Sequence, residues 1–121
     1  MDIAIKRAYL EATQADGTRV LVDRLWPRGV SKERARIDLW PKEITPSTGL
    51  RKWYHQNPEQ HWDEFQQRYI AELAEQEEAL QALCELAQQQ KITLVTAAKD
   101  EHHNHVVVLK RVMLQRLAQS N

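Results

Sequence analysis

Polar and apolar positions alternate along Ile3-Ala4-Ile5-Lys6-Arg7-Ala8-Tyr9-Leu10, which predicts a first strand. Asp16-Gly17 marks a turn. Residues 19–25 are mostly apolar and rich in β-branched or bulky side chains, the pattern of a second strand lying centrally in a sheet. Trp26-Pro27-Arg28-Gly29 ends that strand, because proline lacks a ladder donor and glycine permits a turn. Ser31 is a good N-cap, so a short helix is expected over 32–36. Ile37-Asp38-Leu39-Trp40, closed by Pro41, reads as a third short strand.

The pattern then changes period. Ser47 or Thr48 can cap a helix running to about His55, and Asn57-Pro58-Glu59 is a second helix start, with proline suited to the first turn. Trp62, Phe65, Tyr69 and Leu73 recur at helical spacing, and Leu80, Leu83 and Ala87 continue the stripe beyond the polar Glu75-Gln76-Glu77-Glu78. This predicts two helices, or one bent there. Ile92-Thr93-Leu94-Val95-Thr96-Ala97 is the clearest buried strand. Val106, Leu109, Val112 or Met113, and Leu117 fit a last helix, although the apolar run over 106–109 also suits a strand. The long crossover from Glu59 to Gln90 suggests that the last strand lies parallel to the second. The expectation is an α/β fold: a single domain over residues 1–121, with a small, mostly parallel sheet of three or four strands and helices packed against it.

Composition narrows the function classes. The 121 residues hold 17 Lys+Arg against 17 Asp+Glu, which argues against a wholly basic nucleic-acid coat. The longest apolar run, residues 106–109, is far short of a membrane span, and residues 1–7 contain no apolar leader core. With one cysteine, Cys84, no internal disulfide can form, so a cytoplasmic protein with no membrane partner is expected. The zero balance hides a pattern: 11 Lys+Arg against 7 Asp+Glu in residues 1–53, 1 against 8 in 54–90, and 5 against 2 in 91–121. Two basic segments therefore flank an acidic one, which is either a solvated acidic helix or the counterpart of a positive cleft.

In an open α/β sheet, ligands gather beyond the carboxyl ends of the strands. Two polar loops leave such ends here, one from Asp23 to Gly29 and the other from Thr96 through Asp100 to Asn104-His105. Arg24, Arg28 and Lys99 are candidate anion holders, since the planar guanidinium fork matches phosphate and carboxylate. Asp23, Asp100 and His105 are acid/base candidates, against the alternatives of a structural ion pair at Asp23 and a surface turn capped by Asn104. Trp26 and Asn104 complete the candidate ligand-binding set. Trp26, Trp40 and Trp53 each neighbour basic residues and could stack nucleic-acid bases, or simply pack loops over the sheet. Ser47-Thr48-Gly49-Leu50-Arg51-Lys52 is another possible anion seat. The run from Glu101 to His105 invites a metal, but His55 and His61 are scattered, so no specific metal site or cofactor is expected. Cys84 sits among apolar helix positions and reads as a core thiol.

Three stretches together are familiar. Residues 19–32 (RVLVDRLWPRGVSK), 47–53 (STGLRKW), and Ala97-Ala98-Lys99-Asp100 with Asn104-His105 resemble the YeaO-like family of small bacterial proteins. The resemblance spans nearly the whole chain and implies a compact α/β domain without supplying a reaction. The family's recurrent polar positions match Asp23, Arg24, Trp26, Arg28, Lys99, Asp100, Asn104 and His105. More distant relatives carry a cysteine-containing loop after the last core strand. Here that place holds Ala97-Ala98-Lys99, so thiol chemistry is not implied. The leading expectation is a cleft for a small phosphate- or carboxylate-bearing ligand, whether or not the ligand is turned over. A partner-binding domain and a single-stranded nucleic-acid module are the alternatives, and the oligomeric state is left open.

Overall fold

In the computed structural model, which describes residues 2–119, three strands form one parallel sheet. They are β1 (Ile3–Arg7), β2 (Thr18–Leu21) and β3 (Ile92–Thr96), in the spatial order β1-β3-β2. The register pairs Ile3 and Thr18 with Ile92, and Arg7 with Thr96. The helices are α1 (Lys32–Ala35), α2 (Thr48–Gln56), α3 (Pro58–Ala74), α4 (Glu77–Gln89) and α5 (His105–Gln119). This is an α/β fold of the expected class.

Alternation along the strands sorts side chains onto two faces. Ile3, Val20, Val22, Ile92 and Leu94 join Phe65, Tyr69, Leu73, Leu80, Leu83, Leu109, Met113 and Leu117 in the main core between sheet and helices. Leu21, Val95 and Ala8 form a smaller core on the opposite face, covered by Trp26, Ile37 and Trp40. The loop that follows β2 is therefore the second layer of the molecule.

Helix boundaries follow local chemistry. Ser31 and Ser47 accept hydrogen bonds from the backbone amides of Arg34 and Leu50, and Asn57 accepts one from Gln60 just ahead of Pro58. Glu72 ties α3 to the start of α2: its carboxylate accepts from the Ser47 amide at 2.8 Å and the Ser47 hydroxyl at 2.6 Å. The buried Tyr69 hydroxyl donates to the Ile44 carbonyl at 2.6 Å. The apolar stripe after Pro58 is two helices, broken at Glu75 and Gln76, and residues 106–109 are helical.

Several expectations are corrected. β1 stops at Arg7, because Ala8 and Tyr9 turn away after Ala8 gives its amide to the Thr96 carbonyl. β3, not β2, is the central strand. β2 ends at Leu21 rather than reaching Leu25. Its outer side is closed by residues 38–39, which bond to the Arg19 and Leu21 backbone. That closure explains why a flanking strand is so apolar. The expected third strand over 37–40 reduces to the single Val20–Leu39 bridge, since Asp38 turns its carboxylate onto the Arg19 amide at 2.8 Å.

Candidate functional site

β2 and β3 run parallel, so both polar loops leave from the same rim. Between them lies a cleft of about 490 Å³, within the range of small-molecule pockets. Arg28 and Lys99, which lie on separate loops, both line it. So do Asp23, Arg24, Trp26, Asn104 and His105 among the candidates named from the sequence.

Asp23 joins the elements. One carboxylate oxygen accepts from the Thr96 hydroxyl at 2.7 Å and sits 3.0 Å from His105 Nε2, and the other accepts from the Ala97 amide at 2.7 Å. The end of β3, the loop after β2 and the first turn of α5 are thereby pinned together. His105 Nε2 also contacts the Val22 carbonyl oxygen. Both neighbours of Nε2 are acceptors, so Nε2 carries the proton and Nδ1 is the ring nitrogen left over. Burial alone would raise the Asp23 pKa. The bonds from His105, Ala97 and Thr96 outweigh it and hold the carboxyl below its ordinary 3.8.

The cations stand differently. Arg24 is anchored, donating to the Pro46 and Thr45 carbonyls at 3.2 and 3.3 Å. Arg28 and Lys99 are exposed, and among the described residues neither has a carboxylate partner. Arg51, half-buried on α2, adds a fourth positive charge to the lining and is likewise without a carboxylate partner there. One carboxylate, already bonded three times, thus faces four cations.

Two candidates have other duties. Asp100 is exposed and does not line the cleft. Its carboxylate accepts from the His102 and His103 amides at 2.9 and 3.0 Å, which holds it below the usual carboxylate range and shapes the loop. Asn104 caps α5, accepting from the Val107 amide at 3.0 Å while donating to the Asp100 carbonyl at 2.7 Å. The indoles are engaged as well. Trp26 donates to the Val30 carbonyl at 2.6 Å and meets Trp40 edge-on at 5.5 Å. Trp53 stacks on His61 at 3.9 Å, with Arg68 over its ring at 4.3 Å. The loop histidines diverge, His103 toward Asp100 and Trp62 and His105 toward Asp23. Cys84 is buried, and burial raises its thiol pKa.

The structure also adds residues that the sequence reading passed over. Tyr54 and His55 line the cleft from α2, one turn beyond Leu50 and Arg51. Burial, then the Arg51 charge, then His105 lower the His55 pKa, so the imidazole is neutral near pH 7. Tyr54 is 7% exposed, and its pKa is raised by burial and by the charge of Asp100.

The family model described as the Inactive DUF488-N3 subclade matches residues 2–121. The chain is similar to the uncharacterised protein YeaO of Escherichia coli (strain K12), 47% identical over 109 residues that cover 90% of this chain and 94% of that one. It is also similar to the uncharacterised protein Rv3073c of Mycobacterium tuberculosis (strain H37Rv), 40% identical over 111 residues, 92% of each chain. No solved structure matches it. A match over nearly every residue, with such identity at full length, makes the chain a member of the YeaO-like family.

Proposed function

We propose that this protein binds a small phosphate- or carboxylate-bearing ligand in the cleft at the carboxyl ends of β2 and β3. The observation that carries the reading is the charge of the lining: Arg24, Arg28, Arg51 and Lys99 against Asp23 alone. Concentrating cations in one concave site costs self-repulsion, which an anionic ligand offsets. Arg28 and Lys99 supply exposed contacts, Arg24 an anchored one, and Arg51 a half-buried charge from α2.

Binding rather than turnover suits the geometry best. Asp23 spends its carboxylate on Thr96, Ala97 and His105, and Asp100 is turned into its own loop. The family description, an inactive subclade, agrees with that reading. His105 Nδ1 and His55 are ring nitrogens still open to proton transfer, and a protein that binds at this site without catalysis has no need of them. We place the protein in the cytoplasm, on its single buried cysteine; no described helix is long and apolar enough to cross a membrane.

The test is thermal unfolding with added anions. A ligand at a hundredfold excess over its Kd stabilises the folded state by about 2.7 kcal/mol, a shift of several degrees for a chain of this size. Phosphate, or a phosphate- or carboxylate-bearing metabolite, is expected to produce it. Arg28→Ala should abolish the shift while leaving the unliganded midpoint unchanged, because Arg28 is exposed and has no ion-pair partner among the described residues. Equal stabilisation of the variant would refute the proposal.

A further inference from the structure

The wall of the cleft holds a hydroxyl that no described protein atom bonds. Tyr54 is more than nine-tenths buried and lines the cleft, yet its hydroxyl has no hydrogen-bond partner among the described residues. The contrast with Tyr69 is direct, since that buried hydroxyl is satisfied by the Ile44 carbonyl. A tyrosine so placed normally bonds its hydroxyl to the protein; here the hydroxyl is not among the fully buried unbonded atoms, so the ring is buried while the oxygen opens onto the cleft, where a ligand can meet it. The Tyr54 ring is itself fixed, packed on Phe65 at 4.5 Å and near Trp62 at 6.0 Å. The cleft lining also has an apolar part, with Phe65, Pro46, Leu25 and Ala97.

Exposed cations, an apolar wall and an unpartnered hydroxyl in one lining describe a ligand with three parts. Resting on the anion-binding reading, we infer that the cleft takes a small organic anion with a ring or chain that carries a hydrogen-bonding group, and that Tyr54 recognises this group through its hydroxyl. Inorganic phosphate would satisfy the cations and leave both the wall and the hydroxyl unused.

Three classes of probe separate the parts: inorganic phosphate, phenyl phosphate, and the three aminophenyl phosphate isomers, with affinities measured by calorimetry. Phenyl phosphate is expected to bind about tenfold more tightly than inorganic phosphate, through the apolar wall. At least one aminophenyl phosphate should gain about another tenfold, which is one hydrogen bond's worth. Tyr54→Phe keeps the ring and should erase the second gain, retain the first, and leave the unliganded unfolding midpoint unchanged. The inference is overturned if phenyl phosphate binds no better than phosphate, if no isomer gains, or if the gain survives Tyr54→Phe. A lowered midpoint in the unliganded variant would overturn it too, by showing that the hydroxyl is already bonded within the protein. Weak, Arg28-dependent binding of all anions alike would remove this inference and leave the anion reading standing. Binding of none would remove both.

Discussion

Asp16 receives four kinds of donor: the Thr13 amide and hydroxyl, the Lys6 ammonium, and Arg19 Nη1 at 2.7 Å. Its side chain and that of Arg19 are 9% and 3% exposed, so the pair is a buried one. Burial opposes the charge, but the Thr13 amide bond and the Lys6 and Arg19 contacts overcome it and bring the carboxyl pKa down to about 2. A pKa lowered in the folded state stabilises the protein above the ordinary value of 3.8, and that contribution fades as pH falls toward about 2. Asp16→Asn should therefore cost about 3 kcal/mol in urea unfolding at pH 7, because it leaves Arg19 buried without its counter-charge. The same variant should show a shallower loss of stability between pH 4 and 2. Only Arg19 Nη2 lacks a partner among the buried side-chain atoms described, and Nε is held by the Ala35 carbonyl at 2.8 Å. From the sequence Asp16 was legible only as part of a turn. Thr13 is a local partner, but Lys6 comes from β1, and no local pattern announces a contact across strands.

Helix starts were legible because capping is a local exchange between a side chain and an amide three residues on, as at Ser31 and Ser47. The stretch 37–40 was misread because strand character there depended on a partner. It touches β2 at one bridge and otherwise packs Ile37 and Trp40 over the small core. Tyr54 and His55 escaped notice for a related reason. They occupy ordinary helix positions, and which of them meets the cleft is decided by how α2 lies on α3. The turn before β2 was readable in kind, and the structure supplies its necessity. Gly17 has φ 65°, and a Cβ there would lie 2.4 Å from the Lys91 carbonyl oxygen, a backbone atom that accepts the Thr18 amide bond. Gly17→Ala should consequently lower stability by about 2 kcal/mol or more in chemical denaturation, by combining a left-handed backbone with a main-chain clash. Gly29, at φ 76°, has open space around it, so its alanine variant should pay only the conformational part, about 1 kcal/mol.

At the scale of the whole molecule, the parallel sheet places every strand's carboxyl end on one side, and this made the rim site readable from loop composition alone. The expected meeting of Arg28 with Lys99 rests on that topology, and Asn104 was readable as a cap; that Arg51 faces the same cleft and that Asp100 turns into its own loop needed the coordinates. The crowd of positive charge has a consequence for proton uptake. His55 is held below its ordinary 6.5 by burial, by Arg51 and by His105. A bound anion counters those charges and raises the pKa again, so binding should take up a proton and tighten as pH falls. Calorimetry of phosphate binding in two buffers of different ionisation enthalpy should reveal the uptake, and His55→Gln should reduce it. The order of the strands matters in another way. β3, the middle strand to which both others bond, begins only at Ile92. During synthesis β1 and β2 leave the ribosome with no neighbour to pair with, and a chain interrupted before that point has no sheet at all. Assembly must wait for the last quarter of the polypeptide, so nascent chains depend on chaperones or on speed to keep Val20, Leu21 and Val22 from sticking elsewhere.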